Sequence, residues 1–112
     1  FFRNQVKKFI EDDGYSVDVA EDGLVAWNML DADPSRYDLV VTDIEMPNMD
    51  GFTLTRKIKG SPVYSHLPVI ALTTLAGEED IARGKAAGID DYQIKLDREK
   101  LIKSIQGFLK AA

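Results

Sequence analysis

The chain contains no cysteine. A disulfide, a thiol nucleophile and a thiolate metal site are therefore excluded. It also lacks a basic excess: the net charge is −5, whereas nucleic-acid surfaces are usually basic, so no direct nucleic-acid contact is expected. No apolar run approaches a membrane span and no signal peptide is visible. A soluble, cytoplasmic domain without membrane insertion is expected. An initiator Met is missing too; the chain opens at Phe1-Phe2-Arg3 and reads as part of a longer protein. What is present is ordinary: 112 residues, 45% of them hydrophobic, enough for one domain (residues 1–112) with one core.

Periodicity changes repeatedly along the chain. Phe2, Val6, Phe9 and Ile10 recur at helical spacing, with Arg3, Lys7 and Lys8 between them, up to Gly14. Tyr15 to Ala20 alternates and predicts a strand, broken by Asp22-Gly23. Leu24, Trp27, Met29 and Leu30 predict a second helix, closed by Asp33-Pro34. A strand through Leu39, Val40 and Val41 ends at Asp43. Phe52, Leu54 and Ile58 make a third helix, stopped by Gly60-Ser61-Pro62. Leu67 to Thr73 is a buried strand, Glu78 to Ala87 a helix terminated by Gly88, and Tyr92 to Lys95 a short strand. Asp97 caps a last helix through Leu101, Ile105 and Phe108. Strict alternation of helix and strand predicts an α/β fold, a parallel sheet with helices on both faces.

Parallel strands line up their carboxyl ends, where open α/β sheets place their chemistry. Asp43, Thr73 and Lys95 each stand at such an end. Together they supply an oxygen nucleophile, a hydroxyl donor and a cation, a set suited to phosphoryl transfer. Individually each has a plainer reading: a cap or loop acid, a strand-end hydroxyl, a solvated lysine.

The string Asp43-Ile44-Glu45-Met46-Pro47-Asn48-Met49-Asp50-Gly51 resembles the phosphoacceptor signature of the receiver domains of bacterial two-component signalling. Thr73 and Lys95 follow in the family's order, and the likeness extends over the whole chain. The resemblance implies a flavodoxin-like (βα)5 doubly wound sheet with strand order 2-1-3-4-5. It implies that Asp43 accepts a phosphoryl group from a histidine kinase, with Thr73 and Lys95 binding the transferred group. Tyr92 matches the family's aromatic switch, whose ring follows the Thr73 hydroxyl and alters binding of an output protein or fused domain. Mg²⁺ is the implied cofactor, held by Asp43, the backbone carbonyl of Glu45 and a pair of acids. The segments after Thr73 and Lys95 look similar to receivers of chemotaxis-type hybrid kinases and coupling proteins.

The chain departs from that pattern in places. The family's first strand, which carries the acidic pair, has no counterpart here; the sequence begins inside the first helix. Glu11, Asp12 and Asp13 read as a solvated charge run and not as replacements. The strands at Val17 and Val40 would then have open edges, to be filled by preceding residues or by a strand swapped from another copy. Leu96 stands where the family usually has Pro, and Thr74 where it has a small residue. Glu45 and Leu75 occupy positions that tune phosphoryl lifetime. His66, the single histidine, lies in a Pro-flanked loop and reads as a surface residue. Two other functions fit the alternation: a pseudo-receiver that binds partners without phosphorylation, and a small flavin-binding protein.

Overall fold

The stretch Val69-Ile70-Ala71-Leu72 is apolar throughout, as a parallel strand covered on both faces requires. The computed structural model describes residues 2–44, 48–73, 78–94 and 97–110, with the backbone alone described for residues 2, 3, 73, 78–81, 94 and 110. Among these, the order is α1 (Phe2–Asp12), α2 (Gly23–Ala32), β1 (Val40–Asp43), α3 (Gly51–Lys59), β2 (Val69–Thr73), α4 (Glu78–Ala87), β3 (Asp91–Ile94) and α5 (Arg98–Lys110). The three strands form a parallel sheet in the order β1-β2-β3.

β2 is central and divides the core. Val69 and Ala71 join Leu30, Phe52, Leu54 and Ile58 on one face; Ile70 and Leu72 join Val6, Ile10, Leu101 and Ile105 on the other. Side chains of a strand alternate between faces, so four consecutive apolar residues serve two cores. Helices α1 and α5 thus cover one face, and α2, α3 and α4 the other. The amino edge of the sheet is fastened by Asp90. Its Oδ2 accepts the Val69 amide and the Lys59 ammonium, each at 2.7 Å, and Lys59 also donates to the Leu67 carbonyl at 2.8 Å.

One expected strand is not formed. Residues 15–20 carry no regular secondary structure. Their alternation is real in burial, since Tyr15 and Val17 pack on the α1/α5 core, but a strand also needs a hydrogen-bonded neighbour. Among the described residues none pairs with the outer edge of β1. Between that edge and residues 14–20 lies a cavity of about 470 Å³ that reaches Thr42 and Asp43. Side chains hold the segment across the gap instead: Asp18 Oδ2 accepts from Arg36 Nε and from the Tyr37 hydroxyl, both at 2.8 Å. These two bonds, Tyr37 first, hold the Asp18 carboxyl below its ordinary pKa.

Candidate functional site

Asp43 is the last residue of β1 and lies opposite Leu72 of β2. Thr73, next along β2, lies opposite Ile94 of β3. The register therefore brings Asp43, Thr73 and the residue before Lys95 to the same carboxyl edge. The Thr73 side chain, Lys95, Glu45, Thr74, Leu75 and Leu96 fall outside the described residues.

The chain around Asp43 is tightly folded back on itself. The Gly51 amide donates to the Ile44 carbonyl at 2.8 Å. The first turn of α3 consequently lies against the strand end, so that a Cβ on Gly51 would sit 2.2 Å from the Asp43 carbonyl oxygen. The buried Thr42 hydroxyl donates to that same carbonyl at 2.9 Å. Asp50 caps α3 by accepting the Thr53 amide at 2.7 Å. That bond holds the Asp50 carboxyl below the usual carboxylate range against the opposing effect of burial, with Arg56 and Arg83 adding favourable charge. Asp43 Oδ1 is itself buried. A carboxylate anchored this way, at a sheet edge and beside a cavity, can act as an oriented oxygen nucleophile.

Tyr92 is half-buried and packs on the core beneath α2, α3 and α4. Its ring tip occupies the space a side chain at Gly84 would fill: a Cβ there would be 1.8 Å from the tyrosine oxygen. On the same strand Asp91 accepts from the Tyr92 amide at 2.9 Å, from Gln93 Nε2 at 2.7 Å and from the Ser104 hydroxyl. β3 is thereby tied to α5.

Two residues with roles here were not found in the sequence. Asp22 was read only as a strand breaker. It is 7% exposed and caps α2 by accepting the Val25 amide at 2.9 Å, which an Asp-Gly before an apolar run does signal. Its other oxygen accepts from Asn48 Nδ2 at 2.7 Å, which no local pattern signals. Gly84 owes its importance to a ring eight positions away on another element. Conversely, Glu11, Asp12 and Asp13 are exposed at the end of α1. Asp13 there accepts from Gln106 at 2.8 Å and Asp12 lies 3.9 Å from Arg98. His66 is exposed in the turns before β2. Among the described residues no three acidic or histidine side chains gather to hold a metal, so Asp43 alone does not make a Mg²⁺ site. Among them, too, no helix is long and apolar enough to cross a membrane.

Comparison with known proteins agrees with this geometry. The family model of the response regulator receiver domain matches residues 1–106. A gliding motility regulatory protein of Myxococcus xanthus is 44% identical over 82 residues, 73% of this chain; the chain spans only 10% of that protein's length. Chemotaxis protein CheY-3 of Vibrio cholerae is 37% identical over 94 residues, covering 83% of this chain and 71% of that protein. The receiver domain of a sensor histidine kinase from Pseudomonas aeruginosa, crystallised with a magnesium ion coordinated in its active-site cleft, is similar with a TM-score of 0.83. It is 30% identical, and the match covers 96% of this chain and 87% of that one. The flavin-binding reading gives way to these matches: the fold is the flavodoxin-like receiver fold, and the chain belongs to the response regulator receiver domain family.

Proposed function

We propose that this domain, residues 1–112, is a phosphoacceptor switch in a two-component phosphorelay. An Asp43 carboxylate oxygen attacks the phosphorus of a phospho-histidine on a kinase. The new P–O bond forms as the P–N bond breaks, and the imidazole leaves carrying a proton. Thr73 hydrogen-bonds a phosphoryl oxygen, and Lys95 pairs with the added charge of about −1.5 to −2. The observation that carries this reading is the register: Asp43 and Thr73 end adjacent parallel strands, and Ile94, opposite Thr73, precedes Lys95. Tyr92 transmits the change to the α4–β3–α5 face, where an output protein or fused domain binds.

The domain's sheet is completed by an extended segment between residues 15–20 and β1, giving the order 2-1-3-4-5. The cavity beside β1 supports this, because it runs along an open strand edge up to Asp43. The segment comes from residues preceding Phe1 or from a second copy. It would bring the acids that, with Asp43 and the Glu45 carbonyl, would hold Mg²⁺, and the ion would neutralise charge on the phosphoryl group. A chemotaxis-type role is supported by the similarity to chemotaxis protein CheY-3, and a place within a hybrid kinase by the similarity to the receiver domain of a sensor histidine kinase; a coupling protein and a cytoplasmic location belong to the same proposal. One observation favours a phosphorylation-independent pseudo-receiver: Asp43 has no acidic cluster around it among the described residues.

Intact mass before and after incubation with Mg²⁺ and a small acyl phosphate separates the two. One phosphoryl increment, absent in Asp43→Asn, is the expected result. A chain extended to include the preceding strand that takes no increment from this donor or from a cognate kinase is a pseudo-receiver.

A further inference from the structure

We propose that Asp22 is a positioning residue: it fixes the loop that follows β1 by clasping Asn48. The inference rests on Asp43 being the phosphoacceptor. An N-cap needs only one carboxylate oxygen, and Asp22 uses Oδ1 for that. Its second oxygen is spent on a residue 26 positions away, through the 2.7 Å bond from Asn48 Nδ2. A second tie runs alongside, from the Gly23 amide to the Met49 carbonyl at 3.2 Å. Asn48 needs such support. Its φ of 66° lies in the left-handed region, which Asn visits more readily than most residues but still at a cost.

The geometry is that of a loop pinned at two points. Gly51 and Ile44 meet at a hydrogen bond directly after Asp43, and Asn48 and Met49 are fastened to the start of α2. Asp22 and Asp43 border the same cavity, and the clasp acts on the reacting carboxylate through the loop between them. A hydrogen bond from an amide to a buried carboxylate is stronger than one between neutral groups. Releasing it frees the loop tip, and the slack reaches Asp43 through Ile44.

The pair can be tested by reversing its polarity. Asp22→Asn keeps the α2 cap, because Asn caps helices as well as Asp does, but Asn48 can meet it only by turning its own carbonyl to the new amide, so a charge-assisted bond becomes a weaker neutral one. Asn48→Asp sets two carboxylates face to face and still tolerates a positive φ. The double variant restores one donor and one acceptor. Each variant, made in the full-length protein, is followed for phosphoryl incorporation at saturating acyl phosphate and for hydrogen exchange at the Gly23 amide. Asn48→Asp is expected to slow incorporation by about tenfold with the half-saturating donor concentration unchanged, and to speed Gly23 exchange; Asp22→Asn is expected to do both to a smaller extent. The double variant is expected to recover both. An Asn48→Asp variant with wild-type rate and exchange overturns the clasp, and so does a double variant no better than Asn48→Asp. If the wild-type chain takes no phosphoryl group, the phosphoacceptor reading falls, and Gly23 exchange alone decides whether Asp22 pins the loop.

Discussion

Replacing Gly51 by alanine tests whether the strand end and α3 are as closely apposed as the site requires. The new Cβ would lie 2.2 Å from the Asp43 carbonyl oxygen, 3.0 Å from the Ile44 Cα and 3.1 Å from the Asp43 carbonyl carbon. All three are backbone atoms, so no side chain can swing away. Ordinary non-bonded contact lies near 3.5 Å, so α3 and the end of β1 must separate by about 1 Å. Overpacking of this kind costs about 1–3 kcal/mol. The better helix propensity of alanine returns less than about 1 kcal/mol, because Gly51 is the first residue of α3. A net loss of about 1–2 kcal/mol follows, or a Tm lower by about 4–10 °C for a domain of this size. The displaced atoms include those of Asp43, the proposed phosphoacceptor. A shift of about 1 Å there lowers phosphoryl incorporation by about a hundredfold.

The same substitution in α5 supplies the control. A Cβ on Gly107 meets nothing within 4 Å, and the position is exposed inside a 13-residue helix. Gly107→Ala should therefore stabilise the domain by about 0.5–1 kcal/mol and leave incorporation unchanged. Urea unfolding with a common m value measures both variants, and intact mass follows the phosphoryl group. If Gly51→Ala unfolds at the wild-type midpoint and is phosphorylated at the wild-type rate, the close approach at Asp43 does not exist in solution. A stability loss in Gly107→Ala would refute the propensity half of the reasoning.

Gly84→Ala should expel the Tyr92 ring from α4, since a Cβ would come within 2.5 Å of three of its atoms; these are the far end of a side chain and not backbone, so stability falls by only about 1 kcal/mol. Fluorotyrosine at position 92 reads this directly, and an unshifted resonance in the variant would mean that the ring does not depend on Gly84. Asp50 should make stability depend on pH in the acid range. Its folded pKa is depressed by the Thr53 amide, so its charge-dependent contribution is complete above about pH 4 and is lost as pH falls through the folded value. Asp50→Asn keeps a cap but cannot ionise: the wild type's advantage at pH 7 should shrink and vanish as pH falls through the folded value, and a constant difference across that range would assign it to something other than this charge.

Much of the fold was legible because it is written in local patterns. Apolar runs ending in Asp43 and Thr73 read as buried parallel strands, and they are β1 and β2. Helical spacing in Val6 and Ile10, or Leu101 and Ile105, predicted faces that do meet in one core. Asp97 reads as a cap and accepts the Lys100 amide at 3.3 Å. Asp43 could be singled out because a parallel sheet sends strand carboxyl ends to one edge, and the register bears this out for Asp43 and Thr73. The contacts that stayed hidden join residues far apart in sequence. Asp22 meets Asn48, and Gly84 meets Tyr92, only after helices and sheet are stacked. No period or spacing encodes either pair.

Residues 15–20 show most clearly what a pattern does and does not report. Alternation predicts that one side of a segment is apolar, and Tyr15 and Val17 do face the core. Whether such a segment is a strand is decided by its backbone neighbour, which the pattern cannot name. Here the backbone is held by side chains, with Asp18 gripped by Arg36 and Tyr37, while the outer edge of β1 faces a cavity. A segment inserted into that cavity would pair with β1 on one side and residues 15–20 on the other. The alternation of Tyr15 to Ala20 would then become a true strand without any change in which side chains point inward. The latent strand and the site beside Asp43 would be completed by the same event.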